Sequence, residues 1–172
     1  IINAQKQPPI DFLQLAPTGA LEKPADQWRT VTSTGNFLVD QQYFLRKRSL
    51  DSEAGLWVVT PFKTTQGKII TVVRGWVAAG ADALTNPTVS PITTEQVSLT
   101  GRLRQISPKD VVEPADLPMG QRIGINPEYG TAYLELISSS PELSASEIVL
   151  LPTPTLTDGP HHSYAIQWLI FM

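Results

Sequence analysis

Two stretches of this chain are built alike, and together they limit what it can fold into. Val31-Thr-Ser-Thr-Gly-Asn-Phe37 and Val97-Ser-Leu-Thr-Gly-Arg-Leu103 share valine, a hydroxyl residue, threonine, glycine and a large apolar residue at matching positions. In the first, Val31, Ser33, Gly35 and Phe37 alternate with Thr30, Thr32, Thr34 and Asn36; in the second, Val97, Leu99, Gly101 and Leu103 share one face. A period of two with β-branched residues is the pattern of a strand. A glycine inside a strand marks a bulge or a sharp bend. Two strands bent at equivalent places predict a sheet that coils towards a barrel.

The remaining segments fit that reading. Leu56–Phe62 and Lys68–Val77 form the strongest strand pair, and Lys63-Thr-Thr-Gln-Gly67 between them has hairpin length with a glycine for a positive φ. Ile69 to Val73 is almost continuously apolar, the mark of a central strand buried on both faces. Arg74 interrupts it, and a buried arginine must find a carboxylate or several carbonyls. Arg74 is therefore read as an internal ion-pair anchor or as an anion contact. Tyr43–Ser49 is a further strand carrying Arg46-Lys47-Arg48, whose charges suit a solvated face, an edge guarded against pairing, or an anion site. Thr131–Ile137 and Ile148–Leu151 complete the set, and residues 80–95 and 107–120 read as proline-containing loops. Residues 1–27, rich in Pro and Gln with at most one or two helical turns, read as an arm lying across the core. The expectation is a mainly β chain: a small antiparallel β-barrel or strongly coiled sheet of about seven strands with little helix.

Composition narrows function more than it defines it. A chain of 172 residues fits one domain with extended ends. A net charge of −3 gives no basic footprint, so nucleic acid is not an expected partner. The absence of cysteine removes disulfides, thiolate metal sites and cysteine nucleophiles. No G-x-S-x-G elbow, phosphate-binding loop or dinucleotide fingerprint is present. The two histidines, His161 and His162, are neighbours and diverge on any regular element, which is poor geometry for a metal pair. An enzyme is not expected. What stands out is a histidine just before the uncharged run Ser163–Met172, which holds about half of the roughly 20 apolar residues a membrane helix requires. On the residues alone, His161 is either the edge of a core or helix start, or a haem ligand beside apolar surface.

Four blocks, in order, resemble the Surfeit-one family of cytochrome c oxidase assembly factors, particularly its bacterial members. They are Trp28-Arg-Thr-Val-Thr-Ser-Thr-Gly-Asn-Phe-Leu38, Gly55-Leu-Trp-Val-Val-Thr-Pro-Phe62, Val73-Arg-Gly-Trp-Val77 and Gly159-Pro-His-His-Ser-Tyr-Ala-Ile-Gln-Trp168. Val73 and Ala78 stand where the family pattern has Asn and Pro. The resemblance implies an extracytoplasmic β-domain (28–152) in the cell membrane, between two membrane helices. The first would end before Ile1, ahead of the arm 1–27; the second would begin near Ser163, so that 153–172 is a linker and the start of that helix. It implies a respiratory-chain assembly factor that chaperones haem a during insertion into the nascent catalytic subunit of cytochrome c oxidase, with haem a synthase as a further partner. The family's histidine falls on His161, with Tyr164 and Trp168 completing a haem-binding motif, and on a helix these three share a face. Because the isolated chain lacks the membrane helices, it is expected to bind haem weakly or not at all. Two other readings compete. One is a protein-interaction module that docks on oxidase subunits without touching haem; the other is a small-barrel binding module unrelated to oxidases.

Overall fold

The computed structural model describes residues 2–80, 85–106, 117–143 and 147–152. Eight strands lie in one sheet: β1 (Ile10–Asp11), β2 (Thr30–Phe37), β3 (Tyr43–Leu45), β4 (Gly55–Thr64), β5 (Ile69–Ala78), β6 (Val97–Gln105), β7 (Gln121–Arg122) and β8 (Ala132–Ser140). Among the described residues, helix is confined to α1 (Ile2–Lys6), α2 (Phe12–Leu15) and short 3-10 turns.

The sheet order is β1-β2-β6-β8-β5-β4-β3-β7, and a second pairing of β2 with β4 closes five of these strands into a barrel. Gly35 is where closure happens. It is opposite Val97 of β6 on one side and Thr64 of β4 on the other, so β2 changes partner at this residue. A Cβ on Gly35 would lie 2.0 Å from the Lys63 carbonyl oxygen, so no side chain fits there. The other strand glycine, Gly101 of β6, stands opposite a bulge in its partner. Thr100 is opposite Ser138 and Gly101 opposite Leu136, leaving Ile137 of β8 as the extra residue of a bulge. Both matched glycines thus stand where regular pairing is interrupted, at a change of partner in β2 and opposite a bulge of β8 in β6.

The β2 burial alternates without a break, and the inward residues meet in one core. Val31, Phe37, Phe62, Val72, Leu99 and Leu134 belong to it. Phe12 of α2 joins them and is fully buried, a contribution of about 2–3 kcal/mol for a side chain of this size. Asp11 caps that helical turn by accepting 2.9 Å from the Leu13 N–H. The arm is therefore part of the core it was expected to cross.

Several sequence expectations change. The strand expected over Tyr43–Ser49 stops at Leu45, because Lys47 takes a left-handed conformation (φ 57) that a ladder does not accommodate. Nor is it an edge: β3 sits between β4 and β7, which removes the reading of Arg46–Arg48 as guards of an open edge. Ile148–Leu151 makes a single antiparallel bridge, Val149 to Trp76, not a strand. Four of the five barrel contacts are antiparallel, whereas β5 and β8 run parallel.

Candidate functional site

His161, Tyr164 and Trp168, with His162, lie outside the described residues. Arg74 is described, and its surroundings differ from the expectation. Val58 is opposite Gly75 and Val59 opposite Val73, so Arg74 is the extra residue of a bulge in β5. Its guanidinium is buried and donates 2.7 Å to the Gln42 amide oxygen, which also accepts 2.8 Å from the Thr60 hydroxyl. Among the described residues no carboxylate forms an ion pair with it. Burial pulls its pKa down to about 10, and the through-space charge of Glu147 opposes that fall. Glu147 itself is held below the usual carboxylate range, chiefly by the Ser90 N–H that donates to it.

The buried ion pair expected at Arg74 occurs instead one strand away. Arg102 and Glu135 are register partners on β6 and β8, joined at 3.1 Å, and both are buried. Arg104 approaches the same Glu135 oxygen at 3.8 Å and lays its guanidinium over the Trp28 ring, 3.8 Å from its centroid. Arg102 also donates 2.9 Å to the Leu151 carbonyl, which holds the 147–152 segment against the barrel wall. By alternation this is the outer face of the barrel, opposite to Leu103 and Leu134. Sequence reasoning passed over Arg102, Arg104 and Glu135 because polar residues alternating with a core face normally point to water. Here the 147–152 segment covers part of that face, and an apolar cluster of Val59, Val73, Trp76, Tyr133 and Leu151 forms on it.

A second cationic element borders this cluster. Arg48, in the turn after β3, donates to the carbonyls of Arg46 and Ile123 and stacks over Trp57 at 4.9 Å. Its own carbonyl accepts 2.8 Å from the Trp76 indole N–H. Arg48, Arg104, Trp57, Tyr133, Ile106 and Ile125 line a cavity of about 320 Å³. Arg48 and Arg104 thus bring positive charge to a cavity with apolar and aromatic walls, a setting that suits a flat molecule with an acidic edge. Among the described residues no group of His, Cys, Asp or Glu is arranged to hold a metal ion. Nor is any described helix long and apolar enough to cross a membrane.

Three of the four sequence blocks meet in this geometry. Trp57 of the second is opposite Trp76 of the third, and Phe37 of the first is opposite Phe62 of the second. Gly55 exists to admit that pairing, since a Cβ there would lie 2.2 Å from the Trp76 ring. Comparison with known proteins agrees with the blocks: the SURF1 family model matches residues 2–172. The chain belongs to the SURF1 family. This family is associated with cytochrome oxidase assembly. An uncharacterised SURF1-like protein of Mycobacterium bovis is 30% identical over 175 residues, covering 95% of this chain and 63% of that protein. A Mycobacterium tuberculosis SURF1-like protein, also uncharacterised, gives the same values. A SURF1-like protein of Rickettsia bellii is 49% identical over a shorter stretch of 51 residues, 28% of this chain and 21% of its own length. The chain thus spans 63% of the length of its mycobacterial relatives.

Proposed function

We propose that this SURF1-family chain is the extracytoplasmic barrel of a membrane-anchored, non-enzymatic assembly factor that carries haem a to the nascent catalytic subunit of haem-copper oxidase. Haem is cargo in this reading, and His161 is its ligand, with Tyr164 and Trp168 beside it. The observation that carries the reading is where the 147–152 segment lies against the barrel. Leu151 packs in the same cluster as Tyr133, Ile106 and Ile125, which line the cavity between Arg48 and Arg104. His161 follows about ten residues later, an extended reach of at most about 35 Å. An imidazole within that reach can hold iron while the partly exposed Arg104 guanidinium receives the acidic edge of the macrocycle. At about 320 Å³ the cavity admits an edge of such a molecule and not its whole body, consistent with a carrier that must release its load.

The test is a haem a titration of the full-length protein in detergent, followed by absorbance, with His161→Ala and His162→Ala in parallel. Loss of the ligated spectrum in His161→Ala alone supports the assignment; equal binding by all three proteins ends it. Arg104→Gln is expected to weaken haem about tenfold, through loss of a charge-assisted hydrogen bond to the acidic edge, and to leave binding of the haem dimethyl ester unchanged. Haem delivery points to two partners: the oxidase subunit that accepts it and a haem a synthase that supplies it.

A further inference from the structure

A second cavity, which Arg48 also lines, is bordered by two further cations that the haem reading does not use. Its volume is about 350 Å³, and Arg46, Lys47 and Arg48 line it together with Ala54, Leu56 and Ala79. Consecutive residues of an extended chain point to opposite faces, so three neighbours do not ordinarily reach one cavity. The left-handed backbone of Lys47 (φ 57) breaks that alternation and turns residues 46–48 onto a single concave surface. Non-glycine residues occupy this conformation only where the surrounding structure imposes it. The surroundings do so on both sides: the Arg46 N–H donates to the Arg122 carbonyl, and the Arg48 N–H donates to the Gly55 carbonyl.

The charges gathered there are not neutralised within the described part of the chain. Asp51 and Glu53 belong to the same connection between β3 and β4. Even so, no ion pair joins either of them, or any other described carboxylate, to Arg46, Lys47 or Arg48. The guanidinium of Arg48 is spent on two carbonyls, and Lys47 is exposed. A concentration of cations in a chain of net charge −3 is local, not an overflow of a basic surface. With β3 paired on both sides, protecting a strand edge does not explain it.

We infer that the cavity at Arg46–Arg48 is a phosphate-binding site, Arg46 and Lys47 taking the anionic oxygens and its Ala54, Leu56 and Ala79 wall taking apolar substance attached to the phosphate. The phosphate belongs either to an anionic phospholipid headgroup or to a small free phosphate, and the two are separable by experiment. The 172-residue chain is sedimented with vesicles of phosphatidylcholine containing phosphatidylglycerol, and with phosphatidylcholine alone. In parallel, inorganic phosphate is titrated while amide shifts of residues 46–49 are followed. The variant is Arg46→Gln with Lys47→Gly, which removes two cations and relieves the backbone at position 47, so its melting temperature should not fall. A control, Lys63→Gln with Lys68→Gln, removes the same charge from the exposed hairpin end. Binding to the phosphatidylglycerol vesicles that weakens about twentyfold in the cavity variant and is kept in the control assigns a lipid headgroup. Shifts at 46–49 with inorganic phosphate, lost in the cavity variant, and no vesicle binding assign a free phosphate. Absence of both, or equal losses in variant and control, overturns the site. None of these outcomes depends on haem, so the two proposals stand or fall separately.

Discussion

At Arg74 a guanidinium that is 3% exposed rests on one amide oxygen, and the physical consequence is a cost. Its pKa of about 10 lies below the usual guanidinium range, so from about 10 up to that range the unfolded chain binds more protons than the folded one. Stability therefore rises with pH across that window, and below about 10 the penalty of the buried charge is constant. Arg74→Met should raise the unfolding free energy by about 1–3 kcal/mol, equally at neutral and mildly alkaline pH, as read by urea denaturation. A loss of stability would show that the contact with Gln42 and Thr60 outweighs the desolvation. Glu135 is the opposite case. Removing its charge leaves Arg102 buried without a carboxylate, so Glu135→Gln should cost about 3–5 kcal/mol in the same measurement. Two buried arginines, on strands that both flank β8, thus carry opposite signs, and only the identity of the contacting group separates them.

Strand behaviour turns on where each glycine stands. Gly35 lets β2 serve β6 and β4 in succession, and closure requires its backbone to approach the Lys63 carbonyl. Gly35→Ala should cost about 3 kcal/mol or more, seen as a lowered melting temperature. In β5 the bulge does different work. Beyond Arg74, Trp76 has both backbone groups free to bond Val149, with N–O distances of 2.7 and 2.8 Å. Gly75 holds a φ of 148°, and a Cβ on it would lie 2.5 Å from the Val149 carbonyl oxygen. Gly75→Ala should release the 147–152 segment while the barrel stays closed. Hydrogen exchange would then show loss of protection at Val149 and Trp76 and retained protection in β6 and β8. Loss of protection throughout would mean that the segment holds the barrel together.

For the molecule as a whole, the arm and the 147–152 segment matter as much as the barrel. Phe12 reaches the core from residues that precede the barrel, so Phe12→Ala should destabilise the entire fold by about 3–5 kcal/mol, with a single unfolding transition by both far-UV circular dichroism and tryptophan fluorescence. Two transitions would place the arm outside the cooperative unit. Much of this architecture was legible beforehand: the alternation of β2 and β6, the hairpin with Gly67 at φ 85, and the interrupted pairing at Gly35 and Gly101. These are local properties, fixed by side-chain periodicity and backbone sterics within a few residues. The family blocks and the singling out of His161 are equally properties of the linear chain. Four things were settled only in three dimensions: the β5–β8 parallel contact, the Arg102–Glu135 pair, the burial of Arg74 against Gln42, and the gathering of Arg46–Arg48 on one cavity. Each depends on which distant strand lies alongside, and a polar residue has the same local pattern whether its neighbour is water, an amide or a carboxylate. Periodicity determines which way a side chain faces; only closure of the barrel determines what it meets.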